Sequence, residues 1–146
     1  LEVPGAVLFA CTENSVRSPM AEGLLKQLMG HQIYVDSCGV RAKEVDGFSI
    51  AVMDELGIDI SGHRAKSFDD LEDTFFDVII SLSPEAQHKA IELTRTMACD
   101  VEYWPTLDPS LIEGSREARL AAWRQVRDQL RKRIIERFSP GPAPQV

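Results

Sequence analysis

The sequence is short of cysteine, histidine, aromatic residues and positive charge, and each shortage closes off a class of protein. Its three cysteines, Cys11, Cys38 and Cys99, form no C-x-x-C pair. An odd, low count at such spacing argues against a disulfide scaffold and against the common zinc and dithiol sites. The three histidines, His31, His63 and His88, are scattered, and each reads as a loop or surface residue rather than a base. There are 16 basic residues against 23 acidic ones, a net charge of −7, which argues against nucleic acid or an anionic membrane as partner. Any anion site must therefore create its positive potential locally. No apolar run is long enough to span a bilayer and no signal-peptide pattern stands at the start, so the chain, which begins at Leu1, reads as cytoplasmic.

What is present fits one ordinary domain. The chain has 146 residues, 44% of them hydrophobic, enough to bury a core without metal or disulfides. Apolar runs at Ala6–Ala10, Ile33–Ser37, Phe76–Ser81 and Val101–Trp104 read as four strands. Between them lie helical segments. Ser18 reads as an N-cap with Pro19 at the first helical position, followed by an apolar face of Ala21, Leu24, Leu25 and Leu28 and a stop at Gly30. A second helix is expected over Phe48–Leu56, capped by Gly57, and a third from Ser83-Pro84. The stretch 58–73 has no clean period and reads mostly as loop. In the last helix Leu120, Trp123, Val126, Leu130, Ile134 and Phe138 recur three or four apart on one face. Ser115 is its cap, and Arg124, Arg127, Asp128, Arg131 and Lys132 form a solvated face. Residues 139–146, rich in proline, are expected to be a disordered tail beyond a domain of residues 1–138.

Alternation of strands and helices predicts an α/β fold, a single domain with a four-stranded parallel sheet and helices on both faces. Ligands in such folds sit beyond the carboxyl ends of the strands. Cys11, Ser37, Ser81, Ser83 and Asp108 all fall at or after those predicted ends.

The segment Cys11-Thr12-Glu13-Asn14-Ser15-Val16-Arg17-Ser18 lies between a strand and a helix. A loop of this length can turn successive backbone N–H groups inward around a tetrahedral oxyanion, with the helix N-terminus behind them. Arg17 adds a planar fork for two anion oxygens. Such a field also favours a thiolate over a thiol. Asn14 suits the left-handed backbone that a tight curl requires. A bare cysteine and arginine six apart would be a buried structural thiol and a surface cation. The strand before, the Ser-Pro after and the asparagine within favour a phosphate-binding loop with Cys11 as nucleophile.

Residues Val7 to Gly23 resemble the signature of the low-molecular-weight protein tyrosine phosphatase family, which includes the thioredoxin-coupled arsenate reductases. So do Asp36-Ser37-Cys38-Gly39, the Gly57-Ile58 to Ser61-Gly62-His63-Arg64-Ala65 segment, Phe76–Ile80 and Asp108-Pro109. The resemblance implies a phosphotyrosine protein phosphatase I-like fold. It also implies attack by Cys11 on phosphorus, with phosphate held by Arg17 and the loop from Thr12 through Glu13, Asn14, Ser15 and Val16 to Ser18. Ser18 would donate to the Cys11 sulfur, Asn14 would brace the loop through Ser37, and Asp108 would act as general acid. No metal or organic cofactor is implied. The expected partners are a phosphorylated protein, phosphotyrosine first, or a small phosphomonoester, and phosphate or a similar oxyanion.

Three departures qualify the substrate. Glu13 stands where the family usually has glycine, and it should repel an anion unless it points to solvent. Ser15 is more typical of arsenate reductases and phosphoarginine phosphatases, so arsenate reduction with an external thiol and phosphoarginine hydrolysis are the alternatives. Ser110 and Leu111 follow Asp108-Pro109 where aromatic residues often stand, leaving Trp104 or Phe48 to form any aromatic wall. The relay cysteines of the reductases are matched by Ser81-Leu82-Ser83-Pro84, and Cys38 and Cys99 read as core residues. A module that only binds phosphate would need neither Cys11 nor Asp108.

Overall fold

The computed structural model describes residues 3–72 and 75–139. Strands β1 (Ala6–Cys11), β2 (Tyr34–Gly39), β3 (Val78–Ser81) and β4 (Asp100–Tyr103) form one parallel sheet in the order β2-β1-β3-β4. Helices α1 (Arg17–Met29), α2 (Gly47–Asp54), α3 (Pro84–Leu93) and α4 (Arg116–Phe138) connect and cover it.

Side-chain alternation along the strands divides the core in two. Val7, Phe9 and Cys11 of β1 face α1, α2 and α4, joining Met20, Leu25, Val52, Met53, Trp123 and Leu130. Leu8 and Ala10 face the other way, with Cys38, Phe68, Ile79, Ala86 and Ala90. Helices thus lie on both faces, as the alternation predicts. The chain leaves β1 for one face through α1 and leaves β3 for the other through α3, so a crevice opens between the carboxyl ends of these neighbouring strands.

Helix α4 follows its apolar pattern throughout. Leu120, Trp123, Val126, Leu130, Ile134 and Phe138 are all buried, and Ser115 caps it by accepting from the Ala118 amide. Its polar face needs one correction. Arg127 is buried, donating to the Val52 carbonyl at 2.8 Å and to Glu55 at 2.7 Å. The long guanidinium stem packs while the fork reaches the open carbonyls at the end of α2.

Other boundaries shift for identifiable reasons. Helix α1 starts at Arg17 rather than at Pro19, and its N-cap Val16 supplies no side-chain bond. Ser18 is occupied elsewhere, and Pro19 remains in the first turn, where a missing N–H costs nothing. Leu28 is exposed and Met29 is buried in its place. Helix α2 ends at Asp54, and Gly57 takes φ +74° in the turn after it. Ser83 caps α3 as expected. Residues 58–72 are loop except for a short 3₁₀ turn at Phe68–Asp70. Of the expected disordered tail, residues 139–146, Ser139 is the C-cap of α4 and residues 140–146 lie outside the described residues.

Candidate active site

The loop from Thr12 to Val16 runs between β1 and α1 and is held from outside by residues 40–46. The carbonyls of Cys11, Thr12, Glu13 and Ser15 accept from the amides of Val40, Arg41, Lys43 and Asp46, at 2.9–3.1 Å. The Ser15 hydroxyl donates to the Glu44 carbonyl at 2.7 Å. With its carbonyls drawn outward, the loop keeps its amides for the inside. Among the described residues none of the amides from Thr12 to Val16 donates to a protein acceptor. Asn14 takes φ +54°, as its residue type predicted.

This curl needs a close backbone approach at Gly39, the last residue of β2. A Cβ there would lie 2.4 Å from the Arg41 carbonyl oxygen, 2.6 Å from the Asn14 nitrogen and 2.8 Å from the Glu13 carbonyl carbon. These are main-chain atoms and cannot swing aside. Gly39→Ala is therefore expected to push the loop outward and cut kcat/KM by about 100-fold, the scale of a 1 Å misplacement in an active site. Unchanged kinetics in this variant would contradict the described packing.

Inside the loop a chain of polar side chains leads away from the sulfur. Cys11 Sγ lies 2.9 Å from Ser18 Oγ. Asn14 Nδ2 donates to Ser18 Oγ and to Ser37 Oγ, each at 2.9 Å. Ser37 donates in turn to Glu22. The side-chain oxygen of Asn14 accepts from the Lys66 amide and from His63 Nε2, both at 3.0 Å. Ser18 has one hydroxyl proton and a second acceptor, the Cys38 carbonyl at 3.3 Å. That proton can turn to the sulfur when Cys11 is a thiolate.

Glu22 and His63 were not visible as site residues in the sequence. Glu22 carried a usable signal: it lies four residues beyond Ser18 and shares its helix face. His63 sits in an aperiodic loop and carried none. Far from being a surface residue, its side chain is 7% exposed, whereas His31 and His88 are exposed. Burial pulls the His63 pKa below the ordinary imidazole value, while the Glu22 carboxylate, 3.8 Å from Nδ1, works in the opposite direction. A depressed pKa means the unfolded chain binds the proton first as pH falls. The His63 contribution to stability is thus complete above about pH 6.5 and is lost below it. Denaturant midpoints at neutral pH and near pH 5.5 should fall further for the native chain than for His63→Gln. An identical fall would contradict it.

Arg17 is 8% exposed and donates through Nη1 to the Thr106 carbonyl at 2.9 Å. Its Nη2 lies 4.0 Å from Asp108 Oδ2. Asp108 does two things at once. Its Oδ1 accepts from the Ser110 amide and hydroxyl and starts a 3₁₀ turn, leaving Oδ2 toward Arg17. Cys11, Glu13, Ser15, Val16, Arg17 and Asp108 wall a single small cavity. A cleft of about 710 Å³ lies behind the loop, lined in part by Glu22, His63 and Lys66, but Cys11 is not in its wall. Thr12 points away from the cavity and donates to Ser83 at 3.0 Å, bridging the crevice between β1 and β3.

Neither aromatic candidate reaches the cavity. Trp104 is buried edge-on against Phe9 with Arg133 over its ring. Phe48 packs at a tilt against Trp123, with Arg116 and Arg119 over its ring. Both are needed to fill the core beside β1 and α4. The side chains that flank Asp108 are instead exposed leucines, Leu107 and Leu111.

The other two cysteines are far from being partners for Cys11. Cys38 pairs in register with Ala10 and faces the opposite core, where burial drives its thiol pKa strongly upward. Cys99 is half-buried and precedes β4, at the amino end of the sheet, whereas Cys11 lies at the carboxyl end.

The profile of the low molecular weight phosphotyrosine protein phosphatases matches residues 6–138. A glutaredoxin arsenate reductase from Synechocystis sp. is 36% identical, over 88% of this chain and 92% of its own length. Among solved structures, an arsenate reductase in the phosphate binding state is 33% identical with TM-score 0.70, covering 92% of this chain and 98% of that one. A low molecular weight protein tyrosine phosphatase from T. tengcongensis is 28% identical with TM-score 0.73, covering 90% and 98%. A cysteine and an arginine on one loop between a strand and a helix, and a match across the whole sheet and its helices, lead to one conclusion: this chain belongs to the low molecular weight phosphotyrosine protein phosphatase family.

Proposed function

We propose that this chain hydrolyses phosphomonoesters through a phosphocysteine intermediate on Cys11. The observation that carries the reading is the shared cavity of Cys11, Arg17 and Asp108. In the first step the Cys11 thiolate attacks phosphorus, the S–P bond forms and the bond to the leaving oxygen breaks. Asp108 gives its proton to that oxygen. In the second step Asp108 takes a proton from water, which attacks phosphorus, and the S–P bond returns its electrons to the sulfur. Arg17 and the loop amides hold the phosphoryl oxygens throughout. Ser18 donates to the sulfur, and Asn14 keeps Ser18 and Ser37 in place. Without an aromatic wall, the reading stops at the phosphomonoester class rather than at phosphotyrosine.

A second reading is favoured by the relatives, several of which are named arsenate reductases. In it Cys11 forms an S–As bond with arsenate as water leaves. A small external thiol attacks the sulfur, arsenic takes the electron pair and departs as arsenite, and a second thiol reduces the mixed disulfide. This reading takes an external thiol because Cys38 lies in the opposite core cluster and Cys99 at the other end of the sheet. Side-by-side assays on para-nitrophenyl phosphate, phosphotyrosine, phosphoarginine, and arsenate with glutathione separate the two. Turnover of aryl phosphate with no thiol donor is expected. Arsenite formation with glutathione and no phosphate release from any ester would overturn the hydrolase reading.

A further inference from the structure

Two acidic residues, Glu13 and Asp108, and one basic residue, Arg17, line the cavity around Cys11. Arg17 already faces Asp108. Glu13 is half-buried and, among the described residues, makes no ion pair. Lys43, whose amide holds the Glu13 carbonyl, is exposed and makes no ion pair with Glu13 among the described residues. Arg41, whose amide holds the Thr12 carbonyl, pairs with Glu85 at 3.3 Å. The guanidiniums of Arg116 and Arg119 lie over Phe48, which is not part of the wall. An uncompensated carboxylate beside an anion seat weakens binding of a bare dianion. The penalty is offset by a ligand that brings its own positive charge. Exposed Leu107 and Leu111, on either side of Asp108, offer an apolar border for the carbon skeleton of such a ligand.

We propose that Glu13 determines specificity, selecting phosphomonoesters whose leaving group carries a protonated nitrogen close to the ester oxygen. The phosphoryl group sits on the loop amides and Arg17, and the cation of the leaving group meets the Glu13 carboxylate at the rim. The inference rests on the hydrolase reading above and adds the leaving-group class to it.

The test compares ortho-aminomethylphenyl phosphate with ortho-carboxymethylphenyl phosphate on the native enzyme and on Glu13→Gln. The preference in kcat/KM for the cationic ester should shrink by roughly tenfold in the variant, which loses a partly exposed charge pair with the cationic ester and a like-charge repulsion with the anionic one. Equal ratios in the two proteins overturn the inference. If neither ester is hydrolysed, the hydrolase reading fails, and calorimetry with two non-hydrolysable ligands still decides the charge selection. Tighter binding of aminomethylphosphonate than of carboxymethylphosphonate, lost in Glu13→Gln, supports it. No difference between the two ligands, or a difference that Glu13→Gln leaves intact, overturns it.

Discussion

Cys11→Ser is expected to lower kcat by at least about four orders of magnitude, the scale of losing a nucleophile, while inorganic phosphate still binds. Two observations require this split. The sulfur stands at the base of the loop with Ser18 at 2.9 Å, whereas the anion contacts come from amides that do not depend on the sulfur. A hydroxyl in its place is a poor nucleophile, because at its ordinary pKa it holds almost no alkoxide, and neither Ser18 nor His63 is placed to take its proton. Ser18 is a hydroxyl itself, and the buried imidazole of His63 is spent on Asn14. Calorimetry with phosphate alongside steady-state kinetics reads both halves. Loss of phosphate binding together with turnover would mean that Cys11 shapes the loop; substantial turnover without it would place the nucleophile elsewhere.

The second large effect belongs to Asp108. A general acid contributes about 10²–10⁴-fold, in proportion to how badly the leaving group needs a proton. Asp108→Asn should therefore slow alkyl and simple phenyl phosphates by about that factor, and para-nitrophenyl phosphate far less. The amide keeps the acceptor for Ser110, so the 3₁₀ turn after it should survive. A small, equal loss for good and poor leaving groups would reduce Asp108 to a loop-shaping residue. Glu13, the other carboxylate in the wall, would then be the next acid to test.

The fold was legible in the sequence wherever one periodicity governed a segment. The four apolar runs became the four strands, and every apolar residue named on α4 is buried. Within the site, the local pattern from Cys11 to Ser18 was enough to place Cys11, Asn14 and Arg17 on one loop, while the Ser37 contact came from the resemblance to the family. What escaped was set by pairing across the chain. Residues 40–46 hold the loop through main-chain amides, which any residue but proline possesses, so side-chain identity gave no hint. His63 reaches Asn14 across 49 residues of separation. Arg127 was assigned to water by its charge, because the Val52 carbonyl it serves belongs to a different helix. The early start of α1 follows from Ser18 serving the sulfur instead of a cap.

The most direct test is a rapid acid quench of the enzyme during turnover of para-nitrophenyl phosphate, followed by mass spectrometry of the peptide that contains Cys11. Asp108→Asn, with water activation slowed, should make the intermediate accumulate. The account predicts a phosphoryl group on Cys11, lost on treatment that cleaves S–P bonds and missing from Cys11→Ser. Phosphate release at full rate, with the Cys11 peptide never modified in either protein, would contradict it.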